Sequence, residues 1–144
     1  MDYFESRRRS IDEHLQSIAG HVSAPKPLIE PLRQAITSPG KRVRGILTLA
    51  AGEALGKKPK QLLDAAAAME MIHTSSLILD DLPSMDDAMV RRGAPTLHRQ
   101  FGEDLAILTA VGLLNHAYGL VAANHRAARP RGWAAHDVVQ RVVD

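Results

Sequence analysis

The chain has 144 residues and a formal net charge of +2; 45% of its residues are hydrophobic and only 3% are aromatic. That length fits one domain with a sizeable core, and the absence of cysteine excludes disulfides and thiolate metal sites. The basic runs, Arg7–Arg9 and the group Arg126, Arg129 and Arg131, have no interleaved aromatics, so they read as solvated faces and no nucleic-acid partner is expected.

Alanine and leucine, both strong helix formers, supply much of the apolar content, which predicts a helical protein. The opening MDYFESRRRSIDEH is polar and does not read as a secretory leader. No uninterrupted apolar run approaches the roughly 18 residues of a membrane span, so stable membrane insertion is not expected and a cytoplasmic protein is.

A first helix is predicted over residues 2–19 with Gly20 as its stop, although Ser10–Glu13 has capping-box spacing and offers a later start. Ser23–Pro27 reads as a turn. Leu28–Ile36 is a short helix with Pro31 in its first turn, broken by Ser38-Pro39-Gly40. A third helix covers about 42–55, with Gly56 at the position of a C′ glycine. After the turn at Lys57–Pro59, a long alanine-rich helix covers about 60–82. Leu62, Ala66, Met69, Ile72 and Leu79 recur along it near helical spacing, and Pro83 ends it. Ser84–Pro95 is predicted irregular, and Thr96–Phe101 a helical turn closed by Gly102. Glu103–Arg126 is a helix with Ile107, Ala110, Leu114, Ala117 and Val121 on one face. Ala128–Gly132 reads as a linker and Trp133–Asp144 as the start of another helix.

The densest chemistry lies in DDLPSMDDAMVRR, residues 80–92. Asp80, Asp81, Asp86 and Asp87 crowd the end of an apolar helix, where mutual repulsion calls for a cation or for solvent. Magnesium is held by carboxylate oxygens, commonly one or two together with substrate phosphates. Arg91 and Arg92 follow at once, and guanidinium forks match phosphate oxygens. The pattern therefore suggests a metal–diphosphate site; a solvated helix end with surface ion pairs is the alternative. His73 lies seven residues before Asp80, on the same helix face, and is either a core histidine or part of that site. Gly40-Lys41-Arg42-Val43-Arg44 opens the third helix. Glycine there allows close approach and first-turn amides attract anions, so Lys41 and Arg44 either bind a second phosphate group or form a basic loop.

Taken together, GKRVR, MEMIHTSSLILDDLPSMDDAMVRRG and APTLHRQFGEDLAIL closely resemble the trans-isoprenyl diphosphate synthases, in that family's order and spacing. Bacterial geranylgeranyl diphosphate synthases are the nearest type. The resemblance runs from about residue 28 to residue 121, with a divergent tail at 122–144. It implies an all-α fold, the N-terminal half of the isoprenoid synthase bundle, with residues 1–144 as a single incomplete domain. It also implies a magnesium-dependent prenyltransferase that joins an allylic diphosphate to isopentenyl diphosphate. By that resemblance Asp80, Asp81 and Asp86 bind Mg2+ and Arg91 contacts the allylic diphosphate. Arg92 joins Lys41, Arg44 and His73 around isopentenyl diphosphate, and the role of His98 stays open. Ser75 stands five residues before Asp80, where farnesyl-type enzymes often carry an aromatic; a small residue implies the longer geranylgeranyl product.

Two departures stand out. Gly45 replaces a proline that commonly follows the basic motif, and no second DDxxD follows Asp87. The chain therefore reads as truncated: part of an enzyme, or an inactive remnant or regulatory subunit that pairs with a complete synthase. A homodimer or such a pairing is expected, with the Glu103–Arg126 face left apolar and exposed. Alone, the chain is expected to bind allylic diphosphate weakly and turn over little.

Overall fold

Six α-helices dominate residues 2–128, the residues described by this computed structural model. They are α1 (Tyr3–Gly20), α2 (Lys26–Thr37), α3 (Val43–Ala54), α4 (Leu63–Asp80), α5 (Leu97–Phe101) and α6 (Glu103–Ala128), with a 3-10 turn at Pro59–Gln61. The predicted linker at 128–132, the predicted helix at 133–144 and the basic group at 126–131 lie outside the described residues or their described side chains.

Local sequence accounts for three of the helix C-termini. At the end of α3, Gly56 takes φ 76°. Its N–H donates to Glu53 O at 2.9 Å, and the Lys57 N–H donates to Gly52 O at 3.0 Å. This is the paired-bond stop that a C′ glycine permits without a Cβ penalty. Helix α4 stops at Asp80, three residues before Pro83, and Gly102 (φ 94°) closes α5. Helix α2 begins earlier than predicted, at Lys26, so Pro31 sits inside the helix rather than in its first turn. There it is buried against the rest of the bundle, and packing offsets the missing backbone donor.

The core is centred on α4 and α6, which make the most extensive helix–helix contact. Its seam is alanine. Ala66, Ala67 and Ala68 on α4 and Ala106, Ala110 and Ala117 on α6 are fully enclosed, and Leu113, Met71, Leu49, Leu15 and Ile11 fill the space around them. This corrects one member of each predicted stripe: Met69 is 37% exposed and Ile107 is 42% exposed, whereas Ala66, Ala110 and Ala117 lie in the core and Leu62, Ile72, Leu79 and Val121 pack against it.

Helix α6 bears on the membrane expectation, although Thr109, Asn115 and His116 interrupt its apolar run. Its stretch Glu103–Asn124 is long and apolar enough to cross a membrane by length and composition. One face packs on α4, as the core helix of a bundle does. The other presents Ile107, Leu108 and Val111, each more than two fifths exposed.

The segment after Pro83 is more ordered than predicted. Val90–Arg91 (β1) pairs antiparallel with Ala94–Pro95 (β2), Val90 opposite Pro95 and Arg91 opposite Ala94. The two residues between them, Arg92 (φ 51°) and Gly93 (φ 82°), both have positive φ. That is the signature of the two-residue turn whose twist suits a hairpin.

Candidate diphosphate site at the end of helix α4

The aspartate-rich loop folds back onto the helix end that produced it. The Asp86 N–H donates to Asp80 O at 2.9 Å, Asp87 N–H to Leu82 O at 3.1 Å, and Ala88 N–H to Asp81 O at 3.2 Å. These bonds satisfy the carbonyls that a helix C-terminus otherwise leaves unpaired. They also hold the Asp80 and Asp86 backbones together, with Asp80 half-buried and Asp86 exposed. Negative charge at a helix C-terminus opposes the helix dipole, so nearby cations stabilise this arrangement.

Arg91 supplies one. Its Nε donates to Asp81 at 2.7 and 2.8 Å, and its Nη2 lies 2.6 Å from Asp81 Oδ1. The Asp81 carboxylate is buried. Its hydrogen bond pushes the Arg91 guanidinium above its usual range; burial opposes this, and the charges of Asp81, Asp80 and Asp86 add to it.

Arg92, on the hairpin turn, reaches the other way. Its Nη1 donates to Pro39 O, and a Cβ placed on Gly40 would lie 2.9 Å from that same nitrogen. The guanidinium of Arg92 thus lies directly over Gly40 of the basic turn. Lys41 and Arg44 are exposed beside it. His73 is half-buried one helical repeat before Asp80. Burial first, and then the charge of Arg44, holds its imidazole below the ordinary value; Glu70 opposes this, and Arg92 and Arg91 add to it. The fold therefore brings Arg44, Arg91 and Arg92 within electrostatic reach of His73. A cavity of about 290 Å³ opens beside them, between the end of α2, Thr74, Leu77 and Asp81 of α4, and Arg91 and Arg92.

Sequence reasoning missed Arg42 and Glu70. Arg42 reads as one more basic residue of the motif, yet its side chain is only 4% exposed. It takes φ 53° and donates to Asp12 Oδ1 and to Ser38 O, both at 2.7 Å, with Glu70 Oε2 at 3.8 Å. Glu70 also accepts the Gly45 N–H at 2.8 Å. One of the first-turn amides of α3, expected to attract a phosphate, is thus taken by an internal carboxylate. Sequence offers one signal for this pair: a glutamate flanked by Met69 and Met71 within an apolar helix needs a partner. Ser75 is fully buried and donates to Ala110 O at 3.0 Å, so its side chain faces α6. His98 is buried, with Nδ1 3.2 Å from Thr96 Oγ1.

Among the described residues no three His, Cys, Asp or Glu side chains group tightly enough to cage a metal. Asp80 and Asp86, one half-buried and one exposed on a closed loop, suit an ion that takes one or two carboxylates and completes its shell with phosphate oxygens. The residues fit magnesium held jointly with a phosphate ester. Asp81 joins such a shell only by loosening its bridge to Arg91.

Fold and site together define an all-helical protein in which carboxylates and guanidiniums meet at one helix end beside a cavity. The chain belongs to the polyprenyl synthetase family, whose model matches residues 25–143. It is 47% identical over 122 residues to a geranylgeranyl diphosphate synthase of Pseudescherichia vulneris, covering 83% of this chain and 39% of that one. A farnesyl diphosphate synthase of Geobacillus stearothermophilus is 41% identical over 119 residues, covering 83% of this chain and 40% of that one. Among solved structures, a geranyltranstransferase of Thermotoga maritima superposes with a TM-score of 0.79 at 35% identity, over 88% of this chain and 48% of that one. The chain thus spans about two fifths of the length of the first curated relatives it matches.

The environment of His73 makes a pH prediction. Its folded pKa lies below the unfolded value of about 6.5, so between the two the unfolded chain binds more protons. The imidazole therefore costs the fold nothing above that value, and stability falls as pH drops from there through the folded pKa. In a proton NMR titration, His73 should show a midpoint below an ordinary histidine. Inorganic diphosphate should move that midpoint up, because the anion offsets the repulsion from Arg44 and Arg92. A midpoint unmoved by saturating diphosphate would place the anion elsewhere.

Proposed function

We propose that this chain carries the diphosphate-binding part of a magnesium-dependent prenyltransferase that condenses an allylic diphosphate with isopentenyl diphosphate, with geranylgeranyl diphosphate as product. The observation that carries this reading is the meeting of two regions far apart in sequence, the turn at 39–44 and the segment 80–95. The carboxylate loop after α4, the arginine hairpin and the basic turn before α3 share one end of the bundle.

In this reading Asp80 and Asp86 would hold magnesium, with Asp81 as the third carboxylate of the set, and the ion would supply neutralisation of charge on the departing diphosphate. Arg91, held by Asp81, faces the allylic diphosphate. Lys41, Arg44 and Arg92 face the diphosphate of isopentenyl diphosphate, with His73 kept neutral among them as a hydrogen-bonding partner. The allylic C–O bond breaks and its electron pair leaves with the diphosphate. The isopentenyl double bond then attacks the allylic carbon, and a proton passes from the new adduct to the released diphosphate. Fixed positive groups at the point where charge develops are the largest contribution such a site makes. Ser75 is the proposed chain-length position. That role comes from the family resemblance; in the fold its small side chain is seated in the seam against α6.

A second reading concerns assembly: the chain pairs, with itself or with a complete synthase. The exposed Ile107, Leu108 and Val111 of α6 favour it, as do relatives named as large subunits of heterodimeric geranylgeranyl pyrophosphate synthases.

Titration calorimetry with farnesyl diphosphate should detect weak binding that requires magnesium. With radiolabelled isopentenyl diphosphate added, the chain alone should form little geranylgeranyl diphosphate. Absence of magnesium-dependent binding would overturn the site assignment, and robust product formation by the chain alone would overturn its description as one part of a larger site.

A further inference from the structure

We propose that Glu70 is a positioning residue for the basic turn: it latches the start of α3 so that Lys41 and Arg44 are held toward a bound diphosphate. The proposal rests on the diphosphate reading above and adds to it a residue that touches no ligand.

Three observations carry it. Glu70 is 5% exposed, and a carboxylate so far removed from water persists only where its charge is answered. Here it is answered by two groups on the same short segment, the Gly45 N–H at 2.8 Å and the Arg42 guanidinium at 3.8 Å. Those groups bracket Arg44, and Lys41 immediately precedes Arg42.

The second observation is the backbone. Arg42 takes φ 53°, a conformation that a non-glycine residue keeps only where its surroundings over-determine it. Its side-chain bonds to Asp12 and Ser38 O supply part of that constraint. Glu70 supplies the tie to α4, the helix that carries Asp80 and His73.

The third is Gly45, the least restrained residue type of the backbone, placed in the first turn of α3. The hydrogen bond from its N–H to the Glu70 carboxylate restrains that freedom. A Cβ at this position would lie 2.9 Å from Ile11 Cδ1 of α1 and 3.3 Å from Ala66 O of α4, so α3 packs closely on both helices here. Lys41 and Arg44 are themselves exposed. Without the latch they would ride on a turn free to shift, and each contact to an anion would carry an ordering cost.

Two conservative substitutions separate reach from charge. Glu70→Gln keeps the length and the acceptor facing Gly45 but loses the charge. Glu70→Asp keeps the charge but falls one methylene short. Binding of inorganic diphosphate to the full chain, without magnesium so that the basic groups are read alone, is measured by calorimetry. Amide hydrogen exchange at Gly45 is followed in parallel, as a reading of the latch independent of ligand. The expected result is affinity within about twofold of wild type for Glu70→Gln, and roughly five- to tenfold weaker for Glu70→Asp, with Gly45 protected in the first and exposed to exchange in the second. Equal binding by both variants, or the reverse order, would overturn the latch while leaving the diphosphate site standing. No magnesium-free binding by the wild-type chain would overturn the assignment of a diphosphate to the basic turn, and the latch with it; the magnesium-dependent binding of farnesyl diphosphate tests the carboxylates separately.

Discussion

Converting Asp80 and Asp86 together to asparagine should abolish magnesium-dependent binding of an allylic diphosphate, lowering affinity by at least on the order of a hundredfold. Loss of even an outer partner of a metal ligand typically costs about 10–100-fold, and this change removes two candidate ligands. The fold should survive, because the bonds that close the loop run through the Asp80 carbonyl and the Asp86 amide, not through their carboxylates. Asp87→Asn is the matching control. Asp87 is exposed and sits at φ 47°, a conformation that asparagine tolerates well, and no role is assigned to its carboxylate. Calorimetry with farnesyl diphosphate, with and without magnesium, reads both variants. Magnesium-dependent binding that persists in the double variant would remove these two carboxylates from the site.

Arg42→Met should be the most destabilising single change in the basic motif, by about 3 kcal/mol. Arg42 is the one residue of that motif whose side chain is buried. Its loss leaves Glu70 enclosed with the Gly45 amide for company. Removing one partner of a buried ion pair costs about 3–5 kcal/mol; the lower figure applies because Asp12 is partly exposed and rehydrates. Lys41→Met, at an exposed position, should change stability by no more than roughly 0.5 kcal/mol. Urea denaturation followed by circular dichroism compares the two. Equal stabilities would mean that the Arg42 network contributes nothing to the fold, and that the turn is held by α3 alone.

The two predictions also mark where sequence reasoning reached and where it stopped. The helices were legible because their ends carry explicit chemistry: Gly56 for α3, Pro83 after α4, Gly102 for α5. The faces were less so. Helical spacing placed Ala66, Ala110 and Ala117 correctly in the core but also pointed to Met69 and Ile107, which are partly exposed. The hairpin at 90–95 was hidden because its turn is Arg-Gly, and arginine gives no advance notice of a positive φ.

By itself the sequence determined an all-helical chain of the polyprenyl synthetase family, with a loop of four aspartates and two arginines after an apolar helix. Those features are local, and a pattern of neighbours along the chain suffices to reveal them. Only the tertiary structure decided how the charges of the site are divided. Asp81 is bound to Arg91, which leaves Asp80 and Asp86 as the carboxylates free of that bridge. Arg42, indistinguishable in sequence from Lys41 and Arg44, is committed to Asp12 and Glu70. The physical reason is burial: an ionised group enclosed by protein must be paired, and its partner is chosen by which helices pack together, across separations of 10 to 30 residues that no local pattern records.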